Sequence, residues 1–285
     1  MPDPIADTEA DLDELRAQLH ALDRVVVAFS GGADSAFLAW VAHDTLGPTR
    51  ATAVTAVSPS LAGFEHEDCA ALASEWGLDW LEVFTEEMHN AAYQRNDADR
   101  CYWCKDALMD AVAPLTASDG ARAGATIVLG VNVDDLGDHR PGQQAAATKG
   151  ARFPLVDAGF TKADVRAWSE QLGLRTHDKP AAACLASRVP YGTEVSVSVL
   201  GRIERAEGAL RDLGFLSLRV RHYGDSARLE VPIPDLERVL LKRTDVVTAV
   251  KGAGYRYVTL DLEGLRSGNL NDALPATRTG AIGSR

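Results

Sequence analysis

The fold of this chain is decided by the stretch Arg24-Val-Val-Val-Ala-Phe29, Ser30-Gly-Gly-Ala-Asp-Ser35 and Ala36-Phe-Leu-Ala-Trp-Val-Ala42. Its apolar, β-branched start predicts a buried parallel strand, and its small and apolar end predicts a helix. The two glycines therefore lie in a strand-to-helix turn. Backbone N–H groups at a helix N-terminus attract anions, and glycine lets a phosphate approach the backbone. We interpret the turn as a pyrophosphate site; the alternative is a tight glycine turn with Ser35 as a helix cap.

The order of residues in this turn separates three kinds of nucleotide loop. It has neither the Lys-Ser/Thr end of a Walker loop nor the third glycine of a dinucleotide fingerprint. The order Ser-Gly-Gly-x-Asp-Ser instead resembles the PP-loop of the ATP pyrophosphatases, which are adenine nucleotide alpha hydrolase-like enzymes. These enzymes cleave ATP between its α and β phosphates and adenylate a substrate oxygen. The resemblance implies that Ser30, Gly31, Gly32, Asp34 and Ser35 bind ATP or its pyrophosphate.

Length and composition predict an ordinary globular protein of one or two domains. The chain has 285 residues, of which 46% are hydrophobic and 25% charged, so it can bury one large core and a smaller one. Its acidic start lacks the regions of a signal peptide, and no apolar run approaches the length of a membrane span. Four cysteines in this length fit a reducing compartment. We expect a cytoplasmic protein with free thiols and no membrane partner.

The net charge of −12 argues against a nucleic-acid partner. Proteins that bind nucleic acids draw most of their affinity from a basic surface that neutralises phosphates. The sequence has no stripe rich in Lys and Arg with interleaved aromatic residues. We therefore predict a substrate other than nucleic acid.

Strands and helices alternate through the first two thirds of the chain. Leucines at helical spacing from Leu12 to Leu22 predict a first helix, and residues 65–76 predict another. Further strands are predicted at residues 52–57, 80–84 and 125–130. This alternation predicts a doubly wound α/β sheet over residues 1–190, with its ligand crevice at the carboxyl ends of the strands. Gly130 would then share that edge with the Ser30 loop.

A polar, acidic segment follows the fourth predicted strand. It runs Gly130-Val-Asn-Val-Asp-Asp-Leu-Gly-Asp-His-Arg-Pro-Gly142. Carboxylate and amide oxygens suit Mg²⁺, so we predict that this segment, with Asp34, binds the magnesium ion of ATP. A solvated acidic loop is the alternative for any single residue. The candidate ligands in it are Asn132, Asp134, Asp135 and Asp138.

Three cysteines are candidates for chemistry. Cys101 and Cys104 open a predicted helix over residues 106–112, where the helix dipole lowers the pKa of a thiol. Cys184 follows in Asp178-Lys-Pro-Ala-Ala-Ala-Cys184. Cys69 lies within a predicted helix and is interpreted as a core thiol. Three thiolates leave one position open on zinc or on one iron of a [4Fe-4S] cluster.

Together these motifs resemble the LarE family of PP-loop sulfur transferases. The likeness runs from about residue 25 to residue 270. It rests on the Ser30 loop and on five further segments: Arg100-Cys-Tyr-Trp-Cys-Lys105, Gly130-Val-Asn-Val-Asp-Asp135, Asp138-His-Arg-Pro-Gly142, Cys184-Leu-Ala-Ser-Arg188 with Pro190-Tyr-Gly192, and Leu218-Arg-Val-Arg-His222. The first is shared by the whole superfamily, whereas the combination of the others is distinctive.

The resemblance implies a substrate and a reaction. LarE enzymes adenylate the carboxylates of pyridinium-3,5-dicarboxylic acid mononucleotide and replace an oxygen by sulfur, which gives a precursor of the nickel-pincer nucleotide cofactor. In one kind of member a single cysteine, here Cys184, gives up its sulfur and becomes dehydroalanine. In the other kind, three cysteines, here Cys101, Cys104 and Cys184, hold a [4Fe-4S] cluster with an open iron. We favour the second kind; the sulfide source is left open, and a homo-oligomer, a hexamer, is implied.

The pattern changes beyond residue 190 and predicts a smaller α+β domain over residues 191–270, followed by a disordered tail over residues 271–285. Helices are expected from Val199 to Leu213 and over residues 235–250, with strands at residues 216–222, 227–231 and 255–262. In the first strand, alternation places Leu216, Leu218 and Val220 inward, and Arg219 and Arg221 together on the other face.

A pair of arginines suits a phosphate and carboxylates, whereas a solvated face with ion pairs is the alternative. The family resemblance implies that Arg219 and Arg221 form the substrate site together with Ser187, Arg188 and Glu207.

Three other functions remain open from the sequence. A PP-loop tRNA thiolase shares the loop and a three-cysteine cluster, but the charge disfavours it. An amidating ligase would use ammonia and would not need the cysteines. A non-catalytic nucleotide sensor would bind ATP without releasing pyrophosphate.

Overall fold

The computed structural model describes residues 5–137, 141–180 and 183–266, with the backbone alone for residues 5–11. Within these ranges the chain forms two compact units. The first contains residues up to 58, 65–87 and 101–182, and the second contains residues 59–64, 88–100 and 183 onward. No helix among the described residues is long and apolar enough to cross a membrane. The predicted tail over residues 271–285 lies outside the described residues, and the predicted boundary at residue 190 stays a prediction.

The first unit alternates strands and helices as the sequence predicts. Its elements are α1 (Ile5–Leu22), β1 (Val25–Ala28), α2 (Ala33–Leu46), β2 (Ala51–Val57), α3 (Gly63–Trp76), β3 (Asp79–Phe84), α5 (Arg100–Thr116), β4 (Thr126–Leu129), α6 (Pro141–Thr148), α7 (Pro154–Asp157) and α8 (Lys162–Gln171). A 3₁₀ turn, Val133–Gly137, follows β4. The four predicted strands and the first helices are therefore confirmed.

The four strands form one parallel sheet in the order β3-β2-β1-β4. In register, Val25 of β1 pairs with Ala51 of β2 and with Thr126 of β4. Successive side chains of a strand point to opposite faces, so Val25 and Val27 pack into one core with α1, α2 and α8, whereas Val26 packs into a second core with α5 and α6. Helices thus cover both faces, and the carboxyl ends of β1 and β4 lie side by side. The PP-loop α/β fold predicted from the sequence is confirmed.

The second unit is a smaller α+β structure. Its elements are α4 (Ala91–Gln94), a 3₁₀ turn at Leu185–Arg188, α9 (Val197–Asp212), β5 (Arg219–Tyr223), β6 (Ser226–Glu230), a 3₁₀ turn at Ile233–Asp235, α10 (Leu236–Leu241), α11 (Arg243–Gly252) and β7 (Tyr257–Leu260). The sheet order is β5-β6-β7, with β5 and β6 antiparallel and β6 and β7 parallel. Its core lies between this sheet and α9 and α11.

Two local predictions in this unit are wrong. Leu216, expected to face inward, is 81% exposed because β5 begins only at Arg219, and Phe215 fills the core instead with 1% of its surface exposed. The single helix expected over residues 235–250 is two helices that meet at Lys242. There the Lys242 ammonium turns to donate to the Leu213 carbonyl at the end of α9, at 3.0 Å.

Candidate functional site

The turn between β1 and α2 is short, and the helix begins at Ala33, directly after the two glycines. Gly31 has a φ of 69°, which bends the chain sharply after the strand. Gly32 is the N-cap of α2 and offers no side chain to the first N–H groups of the helix. The Ser35 hydroxyl is drawn back into the loop, where it accepts from the Ser30 N–H at 3.2 Å and donates to the Gly32 carbonyl at 3.1 Å. Backbone N–H groups at the positive end of a helix attract anions, so the predicted pyrophosphate site stays a prediction that this geometry allows.

Packing leaves no room for a side chain at two glycines beside this turn. A Cβ on Gly31 would lie 2.9 Å from the Sγ of Cys69 on α3. A Cβ on Gly130, at the end of β4, would lie 2.7 Å from the backbone nitrogen of Ser35. The predicted approach of Gly130 to the loop is therefore present in the structure, and its physical reason is that β4 ends directly against the first turn of α2.

Asp34 and Asn132 meet across the ends of β1 and β4. The Asn132 side-chain N–H donates to Asp34 Oδ1 at 3.1 Å, and Asn132 is fully buried. Asn132 is fixed in turn because its Oδ1 accepts from the Asp135 N–H, and the Asp135 carboxylate accepts from the Asn132 N–H. Burial raises the pKa of Asp34, although the hydrogen bond from Asn132 opposes this shift. A partly desolvated carboxylate beside an amide suits a hard cation such as Mg²⁺.

The other predicted magnesium ligands are placed differently. Asp134 is exposed, and its carboxylate accepts from the Lys162 N–H at 2.8 Å, which holds the start of α8. Asp135 is engaged with the Asn132 backbone. Asp138 lies outside the described residues. Among the predicted ligands that the structure describes, Asp34 and Asn132 are the two that it brings together beside the loop.

Lys179 binds the backbone of the loop between β1 and α2. The sequence patterns did not predict it as a site residue. Its ammonium donates to the Gly31 carbonyl at 3.1 Å and to carboxylates of Glu65 and Asp68, both at 2.7 Å. Burial works to lower the pKa of Lys179, but these two carboxylates outweigh it and raise the pKa. The only signal in the sequence was its place in the Asp178-Lys-Pro segment ahead of Cys184.

Cys69 belongs to the same part of the first unit. It is fully buried, and burial raises the pKa of its thiol to about 11. Such a thiol stays protonated and inert at neutral pH. The interpretation of Cys69 as a core residue agrees with its burial, and its contact with the loop gives it a packing role there.

The three candidate cysteines form no disulfide and are accessible to different degrees. Cys101 and Cys104 lie in the first turns of α5 in the first unit, exposed and half-buried respectively, and Cys184 is exposed in the second unit, directly before the 3₁₀ turn Leu185–Arg188. The described residues contain no group of three or more His, Cys, Asp or Glu side chains arranged to hold a metal ion.

The predicted substrate residues of the second unit form two buried ion pairs. Arg188 binds Glu207 through Nε at 2.8 Å, and Glu207 is fully buried. Arg221 binds Glu230 with both sides of its guanidinium, at 2.9 and 2.8 Å, and only 3% of Arg221 is exposed. Both arginines also grip Ser187: Arg188 donates to its hydroxyl and Arg221 to its carbonyl.

Arg219 differs from these two arginines. Among the described residues it has no carboxylate partner, and its guanidinium donates to the Arg266 carbonyl at 3.0 Å. Burial lowers the pKa of the Arg219 guanidinium, and the positive charges of Arg221 and Arg188 lower it further. The three guanidiniums therefore lie within electrostatic reach of one another.

Comparisons with known proteins agree with this architecture. Residues 7–109 match the NAD synthase family model, which covers the loop and the first three strands. A protein named pyridinium-3,5-bisthiocarboxylic acid mononucleotide synthase, from Lactiplantibacillus plantarum, is 37% identical over 91% of this chain and 93% of its own length. The chain belongs to this LarE family. An uncharacterized protein of Synechocystis sp. is 44% identical over 93% of the chain and 98% of its own length.

The family relation extends further and fixes the enzyme class. An uncharacterized protein of Methanocaldococcus jannaschii is 25% identical over 86% of this chain and 91% of its own length. Matches of this extent cover both units, so the LarE resemblance is not confined to the loop that all PP-loop proteins share. The prediction of an ATP-dependent sulfurtransferase is thereby confirmed at the level of the enzyme class.

Proposed function

We propose that this LarE-family enzyme transfers sulfur to the carboxylates of pyridinium-3,5-dicarboxylic acid mononucleotide through an acyl-adenylate. The relative from Lactiplantibacillus plantarum supports the substrate class by its name. The observation that carries the proposal for this chain is the trio Arg188, Arg219 and Arg221, in which only Arg219 lacks a carboxylate partner among the described residues. A half-buried guanidinium without a carboxylate partner among the described residues favours an anionic substrate.

The first step is adenylation. A substrate carboxylate oxygen attacks the α-phosphorus of ATP, the bond from that phosphorus to the bridging oxygen breaks, and pyrophosphate leaves. The N–H groups at the start of α2, with Gly31 and Gly32, bind the departing pyrophosphate, and Ser30 and Ser35 shape the loop. Asp34 and Asn132 fit Mg²⁺ because their oxygens are hard ligands beside this anion site. Bound there, the ion would neutralise charge that develops on the phosphates.

The second step replaces AMP by sulfur. A sulfur nucleophile attacks the acyl carbon, the carbon–oxygen bond to AMP breaks, and the electron pair leaves with AMP. If Cys184 is the donor, a thioester forms; a base then removes its Cα proton, the Cβ–S bond breaks, and dehydroalanine and the thiocarboxylate remain. Atoms and electrons balance without an oxidant. The exposed position of Cys184 supports either role for it.

The alternative donor is a [4Fe-4S] cluster with an open iron. Three thiols outside any disulfide are the right donors for it, and Cys101, Cys104 and Cys184 would hold it. When bound, such a cluster would supply an exchangeable sulfide. The described residues offer no preformed group of three ligands, so support for this donor comes from the chemistry of the thiols alone. Cytoplasmic residence and a homo-oligomer, a hexamer, stay proposals as well.

One experiment tests the function and the donor together. Anaerobically purified and iron-reconstituted enzyme is incubated with the pyridinium mononucleotide, ATP and Mg²⁺, with and without added sulfide, and product sulfur and intact-protein mass are measured. Several product sulfurs per chain at unchanged mass support the cluster. A mass loss equal to hydrogen sulfide, with at most one product sulfur per chain, supports Cys184 as sacrificial donor. Absence of pyrophosphate and of any thiocarboxylate would refute the proposed function.

A further inference from the structure

We propose that Asn96 and Arg100 are positioning residues that hold the Cys184 segment, residues 183–193, in the shape that sulfur transfer requires. The inference rests on the proposed function, but it concerns residues that lie outside the predicted ATP, magnesium and substrate sites. Both residues and the whole segment belong to the second unit. The contacts described below are therefore internal to that unit.

Asn96 binds the segment through its side-chain nitrogen and its backbone carbonyl. Its side-chain N–H groups donate to the carbonyls of Val189, Pro190 and Thr193, at 3.2, 2.8 and 3.0 Å. Its backbone carbonyl accepts from the Gly192 N–H at 3.1 Å. The residue is fully buried although it is polar. A buried amide with this many partners fixes the turn that ends the segment.

Arg100 fixes the orientation of that amide and adds a hydrogen bond to the segment nearer to Cys184. Its NH1 donates to Asn96 Oδ1 at 2.6 Å and to the Ala186 carbonyl at 2.8 Å, and only 5% of Arg100 is exposed. Because arginine has donors only, the oxygen of the Asn96 amide must face it, and the nitrogen must face the three carbonyls. The pair therefore contacts the segment on both sides of Ser187.

The backbone of Asn96 has a left-handed conformation, with a φ of 56°. Such a conformation is uncommon outside glycine, and asparagine is one of the few residues that adopt it readily. Glycine would adopt this φ without strain, but it would lose every side-chain hydrogen bond to the segment. The presence of asparagine at this position thus favours a role for the amide itself.

Further hydrogen bonds hold the backbone of the segment next to Cys184. The Leu185 N–H donates to the Ser60 carbonyl at 2.8 Å, and Arg188 donates to the carbonyls of Ala183 and Cys184. These contacts fix the backbone on either side of the Cys184 thiol. Small displacements of a reacting group cost large factors in rate, so loosening the far end of the segment should impair transfer of sulfur before it impairs adenylation.

The test compares Asn96→Gly, Asn96→Asp and the control Asp23→Gly. Glycine keeps the left-handed backbone and removes the amide, whereas aspartate keeps the shape and turns a carboxylate toward the three carbonyls. Asp23 is the other described non-glycine residue with positive φ, at 60°, and lies in the turn before β1 in the first unit. Pyrophosphate release and thiocarboxylate formation are measured together, and deuterium exchange is followed in a peptide covering residues 185–193.

We expect both Asn96 variants to release pyrophosphate at the wild-type rate while the product formed per pyrophosphate falls about tenfold to a hundredfold. Exchange in residues 185–193 should become faster in Asn96→Gly, with no change in the peptide of α2. Asp23→Gly should leave the product ratio and that exchange unchanged. An unchanged ratio and unchanged exchange in Asn96→Gly would overturn the inference, and so would an equal fall in adenylation and transfer.

Failure of the proposed function can be recognised separately. If the wild-type enzyme forms no thiocarboxylate, the proposed function is refuted, and the exchange measurement then decides the positioning role alone. Faster exchange confined to residues 185–193 would support it, and exchange equal to wild type would refute it. An Arg100→Lys variant keeps the positive charge but loses the planar guanidinium. Exchange in residues 185–193 should become faster in this variant, as in Asn96→Gly.

Discussion

At the scale of single residues, the site combines a carboxylate in an unfavourable environment with two positions that suit only glycine. Asp34 is an ionisable side chain whose pKa burial raises, with the bond from Asn132 opposing the shift. Gly130 lies where no Cβ fits, and Gly31 has a φ that favours glycine. The buried Asp34 carboxylate costs stability that a purely structural protein would not need to give up, whereas at the two glycines a larger residue would cost stability. A substitution at one of these positions should therefore either raise stability and lower activity, or lower both.

We predict that Asp34→Asn lowers the rate of pyrophosphate release about a hundredfold, because a charged ligand for Mg²⁺ is lost. The same change should raise stability at neutral pH, since it removes a carboxylate that burial disfavours. For the wild type, the stability linked to Asp34 is greatest below its ordinary pKa of 3.8 and is lost as the pH rises through the raised pKa. Urea unfolding across pH and a pyrophosphate assay check both parts; a less stable, active variant would contradict the assignment.

Gly130→Ala should destabilise the protein by about 1–3 kcal/mol, because the new Cβ would meet the Ser35 backbone nitrogen at 2.7 Å. It should also abolish pyrophosphate release by shifting the first turn of α2. The matched control is Gly208→Ala in α9, where nothing lies within 4 Å of the added Cβ. That change should stabilise the protein by about 0.5–1 kcal/mol. Equal thermal midpoints for the two variants would refute the packing argument.

At the scale of elements, the sequence predicted where strands and helices lie better than it predicted the burial and contacts of their side chains. Alternation along β5 correctly separates Val220 from Arg219 and Arg221, but it does not reveal whether the polar face is covered. Arg221 is buried because Glu230, on the neighbouring strand, lies diagonally opposite and accepts from its Nε and from one of its terminal nitrogens. Leu216 was placed inward because the pattern could not show where β5 begins. Lys179 escaped notice because its partners on α3 are more than a hundred residues away in sequence.

Mutations of the two arginines of β5 should have different effects, one on substrate affinity and the other on stability. Arg219→Ala should weaken binding of the pyridinium mononucleotide about tenfold to a hundredfold, with little loss of stability, because its guanidinium has no carboxylate partner among the described residues. Arg221→Ala should instead cost about 3 kcal/mol of stability, since it leaves Glu230 buried. Titration calorimetry with the substrate and with ATP, together with urea unfolding, checks this. Equal losses of affinity for both ligands in Arg219→Ala would contradict the substrate role.

Lys179 connects α3 to the loop and should matter for ATP rather than for the substrate. Lys179→Met removes the donor to the Gly31 carbonyl and leaves two carboxylates facing each other, so we expect a loss of about 1–3 kcal/mol. The KM for ATP should rise while the affinity for the mononucleotide stays constant. Lys149→Met is the control, because Lys149 also binds two aspartates but lies away from the loop. An unchanged KM for ATP in Lys179→Met would refute the support role.

At the scale of the whole molecule, the two units carry different shares of the proposed chemistry. The first holds the anion site with Asp34, Asn132, Cys101 and Cys104, and the second holds Cys184 and the arginine trio. The second unit also exposes several large apolar side chains. They are Leu216, Leu240, Leu241, Tyr257 and Leu262. Sequence motifs assigned these roles by resemblance; the sequence alone could not reveal the contacts that hold each group in place.

The central claim is that the substrate carboxylate is activated by ATP before sulfur arrives. The most direct measurement uses pyridinium mononucleotide labelled with ¹⁸O in its carboxylates, incubated with the enzyme, ATP and Mg²⁺, with mass analysis of every product. Attack by the carboxylate on the α-phosphorus moves one labelled oxygen to that phosphorus, and displacement by sulfur then releases it. The account predicts AMP carrying one ¹⁸O alongside a thiocarboxylate product. Unlabelled AMP, or label in the pyrophosphate, would contradict it.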